Sequence, residues 1–167
     1  LRGRPVVPPD RFVASLTDRL RKEAAQLVML GYELHRDRDH VRAEDVLGAA
    51  LRIEARNAEA WFWRGASRRA QGRIGAAVAD LRVSGALNPS HQNPWSELAS
   101  MALSRRCYEE TVVYASRLLE VAEAPNGKGR ARALRAEGLA GLGREDQAER
   151  DRTAACGLGH MASCPPP

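Results

Sequence analysis

The chain has 167 residues, a formal net charge of +5 and a pI near 9.6. That length carries one domain or a short repeat array, and no apolar run approaches the roughly 18 residues needed to cross a bilayer, so membrane insertion is excluded as a reading. Alanine, leucine and arginine dominate while β-branched runs are scarce, which leaves little material for strands and points to an all-α fold.

Residues 1–9 contain Pro5, Pro8 and Pro9 without periodicity and read as an extended lead, with Leu1 in place of a methionine suggesting an excised piece. Asp10 is a candidate N-cap for a helix over 10–23. Its apolar residues Val13, Leu16 and Leu20 recur at helical spacing opposite Asp18, Arg19, Arg21, Lys22 and Glu23. This segment either runs on unbroken into the next helix or bends near Lys22 to cover the N-terminal end of the helices after it.

Over 24–57, Leu27, Leu30, Gly31 and Leu34 mark one helix, and Ala43, Val46, Leu47, Ala50 and Leu51 a second, with a turn at Asp37, Arg38, Asp39 and His40. Asn57 then caps the next helix, and Glu59 suits its dipole. The clearest unit is 58–91. Trp61, Arg64, Gly65 and Arg68 share a face, Gly72 interrupts the pattern, Ile74, Ala77, Val78 and Leu81 form a second stripe, and Pro89 closes it.

Trp95 falls 34 residues after Trp61, with Leu98 and Ala99 following, so 92–128 reads as a third unit. Asn93 and Pro94 suggest a cap and a first-turn proline. Arg106 stands where the turn glycine would be and Thr111 where the alanine would be, and the second helix is expected to reach about Glu123. Glu123 to Gly129, with a proline and an Asn-Gly pair, reads as a loop. A restart at Gly129 places Ala136, Gly143 and Ala148 in phase, giving a weaker fourth unit over 129–160 and a tail over 161–167.

These residues resemble the tetratricopeptide repeat, a 34-residue helix-turn-helix. Its pattern has a large aromatic at position 4, a small residue at 8, glycine near 15, alanine at 20 and proline at 32. Trp61, Gly65, Gly72, Ala77 and Pro89 fill those places in the second unit, Gly31 and Ala43 match in the first, and Trp95 and Ala99 in the third. The resemblance implies a right-handed superhelix of antiparallel helix pairs, an α-solenoid, with the 10–23 segment as an extra N-terminal helix or helix extension. It also implies a concave wall lined by the first helix of each unit. Carried over, the partner-binding groove holds Val28, Tyr32, His35, Arg36, Glu59, Phe62, Arg69, Asn93, Ser96, Ser100 and Leu103, apolar and aromatic at one end and small and polar at the other.

Such a wall implies a protein or peptide ligand held without catalysis, cofactor or metal. The positions at which some members clamp a chaperone's C-terminal carboxylate carry Val28, Tyr32, Trp63, Asn93 and Glu97 here, so that clamp is absent. Alternatives are a regulatory or docking domain of a larger enzyme or sensor, and an RNA-associated helical repeat. The arginines Arg64, Arg68, Arg69, Arg73, Arg105, Arg106, Arg130, Arg132 and Arg135 differ in helical phase and lack interleaved aromatics, which argues against nucleic acid. Trp63 lies outside the core phase and is the tryptophan expected at a contact. His35, Asp37, Asp39 and His40 match no standard metal spacing and read as a solvated turn.

ACGLGHMASC resembles a cysteine-paired subclass of helical repeats found in secreted bacterial proteins, which implies a disulfide between Cys156 and Cys164 and leaves Cys107 single. Location stays open between the cytoplasm and, with that pair oxidised, a periplasmic or secreted setting.

Overall fold

A computed structural model describes residues 9–164, with side chains from residue 13. Among the described residues are eight α-helices, a final 3₁₀ turn and no strand. They are α1 (Pro9–Arg36), α2 (His40–Ile53), α3 (Ala58–Ala70), α4 (Ile74–Leu87), α5 (Gln92–Ser104), α6 (Tyr108–Val121), α7 (Pro125–Gly141) and α8 (Glu145–Gly157), followed by the 3₁₀ turn Met161–Ser163. The fold is therefore all-α, built from helix pairs in chain order.

The turn inside each pair is one backbone device used four times. Arg38, Gly72, Arg106 and Gly143 have φ of 65°, 76°, 57° and 73°, the left-handed conformation that ends a helix. In each case the next residue's N–H reaches back five residues: Asp39 to the Leu34 carbonyl, Arg73 to Arg68, Cys107 to Ala102 and Arg144 to Leu139, all at 2.9 Å. These bonds satisfy carbonyls that the helix end would leave open. The same closure ends α8, where Gly159 has φ 87° and His160 bonds to the Ala155 carbonyl at 3.0 Å.

The chain divides into two compact units, Leu1–Asp80 and Leu81–Pro167. In the first, α1 packs on α2 and α3, and α2 on α3. Val28, Ala43, Leu47, Ala50, Leu51 and Ala60 are buried there, with Leu27, Leu34, Trp61 and Trp63 against them. Gly31 is small for a steric reason, since a Cβ there would lie 2.4 Å from Leu47 Cγ. In the second unit α5 packs on α6 and α7, α6 on α7, and α7 on α8. Gly141 meets Tyr108 as Gly31 meets Leu47, a Cβ falling 2.4 Å from its ring. Thr111, in place of the expected alanine, is fully buried and returns its hydroxyl to the Cys107 carbonyl at 3.0 Å.

Trp61 and Trp95 occupy matching surroundings. Each indole N–H donates to the carbonyl six residues earlier, Trp61 to Ala55 at 2.8 Å and Trp95 to Pro89 at 3.0 Å, pinning the helix start to the preceding turn. Asn57 caps α3 as expected, accepting from the Ala60 N–H at 2.9 Å.

Several elements differ from the sequence expectation. The lead expected over residues 1–8 lies outside the described residues, as do 165–167 of the tail, and Pro9 already opens α1, so Asp10 falls inside the helix and not at its cap. α1 runs unbroken into the first helix pair, because neither glycine nor proline interrupts it before Gly31. Val13, Leu16 and Leu20 stay exposed along it, and Leu30, one of the apolar residues that mark this helix in the sequence, is 44% exposed with no described element before α1 to cover that face. α5 starts at Gln92 with His91 at the cap position, which places Asn93 and Pro94 in its first turn. α6 ends at Val121, short of Glu123. The Asn-Gly segment is not a loop but the first turn of α7, because Pro125 sits at its start, where a missing N–H costs nothing.

Candidate functional site

Ala25, Val28, Met29 and Tyr32 recur on α1 at the spacing that places them on one face of a helix. α3 packs beside that face and brings Glu59 and Trp63, with Asn57 at its cap. Together these residues line a cleft of about 340 Å³ within the first unit. Val28 is buried at its base and Met29, 59% exposed, stands at its edge. Tyr32 and Trp63 form the aromatic wall, their ring centroids 4.7 Å apart and the planes tilted by 53°. Trp63 also meets Phe62 edge-on at 4.9 Å, and its indole N–H donates to Glu59 Oε1 at 3.3 Å. The wall is thus held in place from behind and from the rim, which suits a preformed contact surface.

His35 backs this wall, 5.5 Å from the Trp63 ring and 5.0 Å from the His40 ring. Its Nδ1 shares a 3.0 Å hydrogen bond with the hydroxyl of Ser67, which is fully buried. Burial, and secondarily the neighbouring His40, pull its pKa below the ordinary histidine value. The imidazole is therefore favoured in its neutral form.

Of the groove residues named from the sequence, Val28, Tyr32 and Glu59 line this cleft. Phe62 is 6% exposed and supports Trp63 from below instead of facing solvent. Arg36 is exposed and pairs with Asp37 at 3.5 Å, and Arg69 is exposed at the end of α3. In the second unit Asn93 is exposed, while Ser96, Ser100 and Leu103 are half-buried, with the Ser100 hydroxyl donating to the Ser96 carbonyl at 2.9 Å. Asp39 is the cap of α2 and bonds Arg42 through backbone and side chain. Among the described residues no group of three His, Cys, Asp or Glu side chains converges as a metal site.

The sequence reading missed the buried ion pairs. Arg64 holds Asp80, which is 2% exposed, and Arg68 bridges Asp80 at 2.9 Å to Glu44 at 2.8 Å. Gln71 and Arg73 complete the shell around Glu44. Burial pushes the Glu44 carboxyl up, but the hydrogen bonds from Arg68, Gln71 and Arg73 outweigh it and leave the pKa below the ordinary value. Arg64, Arg68 and Arg73 are therefore committed to ion pairs within the fold. The signal was present, since Arg135 and Asp151 repeat the sixteen-residue separation of Arg64 and Asp80.

Cys156 and Cys164 are joined in a disulfide, and Cys107 is a free, half-buried thiol. The bridge ties the 3₁₀ turn to α8. The preceding turn approaches α7 closely, a Cβ on Gly129 lying 3.3 Å from His160 Cβ and 3.5 Å from Leu158 Cβ.

No family model matches the sequence, and no curated protein does. Solved structures do. A crystal structure of MamA superposes with a TM-score of 0.75 at 18% identity, covering 84% of this chain and 80% of that one. A MamA fragment from Desulfovibrio magneticus gives 0.72 at 17% identity over 81% of this chain and 75% of that one. A thermophilic TPR protein of Thermus thermophilus gives 0.61 at 18% identity over 81% and 74%. At such identities the likeness carries the fold alone, and it agrees with the recurring turns and the two tryptophans: the chain has the tetratricopeptide-repeat fold.

Proposed function

We propose that the protein is a non-enzymatic interaction scaffold that holds a peptide segment or helix of a partner protein, with the α1–α3 cleft as its principal grip. The observation that supports this most is the cleft itself, where a tyrosine and a tryptophan are fixed against each other beside an exposed methionine. Rigid aromatic walls give large contact area at little ordering cost, and a methionine adapts to different side chains. Repeat units at 24–57, 58–91, 92–128 and 129–160 belong to the same proposal, as do Asn93, Ser96, Ser100 and Leu103 as partner contacts of the second unit by itself. The Cys156–Cys164 bridge suits an oxidising compartment.

The test is selection of peptides from a displayed random library on the immobilised protein, followed by affinity measurement. Met29→Glu is the informative variant, because Met29 is exposed and its replacement leaves the core intact, whereas Phe62→Glu would place a charge in buried surroundings. Selected peptides should lose at least tenfold in affinity on Met29→Glu with an unchanged circular dichroism spectrum. Undiminished binding would remove the cleft from the proposal.

A further inference from the structure

We propose that a second cleft, formed by α6, α7 and α8, binds a phosphate monoester or a comparable compact dianion. The cleft encloses about 440 Å³ within the second unit, and Arg132, Arg135, Arg144 and Arg150 all line it. Asp151 is the one carboxylate among the lining residues. Four guanidinium groups therefore face a single negative charge.

That charge is already spent. Asp151 is 4% exposed, and its two oxygens accept from Arg132 Nη1 at 2.8 Å and from Arg135 Nε and Nη2 at 2.6 and 2.8 Å. Each guanidinium carries five N–H donors, so both arginines keep donors for a second acceptor while Asp151 fixes their orientation. The hydrogen bonds to Asp151 also raise the Arg135 pKa, which keeps that group cationic.

Arg144 and Arg150 have no ion-pair partner among the described residues. Their sequence neighbours Glu145 and Glu149 both bond Arg152, at 2.6 and 3.1 Å, and Asp146, one turn before Arg150, is not part of the cleft lining. Ser116 and Gln147 add neutral donors. Two oriented arginines, two uncommitted ones and a pair of neutral donors match a tetrahedral oxyanion, for which the planar guanidinium fork is well shaped. No aromatic side chain lines the cleft, so it offers no stacking platform for a base. None of its residues belongs to the α1–α3 cleft, and the two sites stand or fall separately.

The experiment is titration of the full chain with inorganic phosphate at constant ionic strength, followed by NMR of the Gln147 side-chain amide and the Arg135 Nε–H. A second arm uses a short peptide carrying phosphoserine against the same peptide with serine. The variant is Arg144→Gln combined with Arg150→Gln, since neither residue bonds Asp151 and the fold is kept. Saturable shifts at these two groups, weakened at least tenfold in the double variant, are expected. Tighter binding of the phosphopeptide than of the free anion assigns the group to a partner protein, and the reverse order assigns it to a small molecule; either upholds the site. Shifts that never saturate, or equal affinity in the variant, would overturn it.

Discussion

Arg64 holds Asp80 with two parallel hydrogen bonds of 2.9 Å across sixteen residues, and the carboxylate is almost wholly removed from water. Thirty-four residues on, Leu98 and Tyr114 stand in the same two places, and both are buried. The places held by an ion pair in one unit are thus held in another by a leucine and by a tyrosine whose hydroxyl accepts from Arg82 Nε at 2.6 Å. Removing one partner of a buried pair leaves the other charge uncompensated, a loss of about 3–5 kcal/mol. Asp80→Ala is expected to cost that amount in urea denaturation, while Arg64→Leu with Asp80→Tyr recovers most of it, because Arg68 retains Glu44. A double variant no better than the single one would refute the equivalence.

Arg38 and Arg106 adopt the left-handed conformation that Gly72 and Gly143 adopt in the matching turns. A side chain there crowds its own carbonyl, and glycine does not. Arg38→Gly and Arg106→Gly should each raise stability by about 0.5–1 kcal/mol, and Gly72→Ala should lower it by about 1 kcal/mol. Midpoints of denaturant unfolding are the check.

Gly85 lies under Trp95, and a Cβ there would come within 2.7 Å of the indole carbons Cζ2 and Cη2. The ring is tethered by its bond to the Pro89 carbonyl, so it cannot swing away freely. Gly85→Ala is expected to destabilise by about 1–3 kcal/mol, the usual cost of overpacking. Tryptophan fluorescence should shift with it.

His35 titrates below the ordinary histidine value in the folded chain. Fewer protons bind to the folded state than to the unfolded one, so its contribution is fully present above pH 6.5, the unfolded value, and is lost as pH falls through the lower folded pKa. Stability should therefore drop between pH 7 and 5. His35→Gln, which keeps a partner for Ser67, should flatten that part of the profile; an unchanged slope would assign it to other groups.

Much of this architecture was legible because helix pairs leave a periodic trace. Trp61 and Trp95 are large and in phase, Gly72 and Gly143 mark turns by conformation, and Asn57 is a capping residue at a cap. Arg106 was placed at its turn by repeat register alone, since nothing in an arginine advertises a positive φ. The start of α7 was hidden, because Asn-Gly reads as a loop unless Pro125 is recognised as a helix opening. At the site, the resemblance to the repeat pattern, carried over position by position, pointed to Val28, Tyr32 and Glu59, which line the cleft. It did not show that Phe62 is buried beside Trp63, and the ion pairs of Arg64, Arg68 and Arg73 stayed hidden because their carboxylate partners lie 12 to 29 residues away.

The most direct measurement is indole NMR of the full chain during titration with a library-selected peptide, since the Trp63 N–H bonds a carboxylate while those of Trp61 and Trp95 both bond backbone carbonyls. Shifts concentrated on the Trp63 N–H, which bonds Glu59, with Trp61 and Trp95 unmoved and the response abolished by Met29→Glu, are the predicted result. Equal movement of all three indoles, or binding that leaves Trp63 still, would contradict the cleft as the place where this repeat array holds its partner.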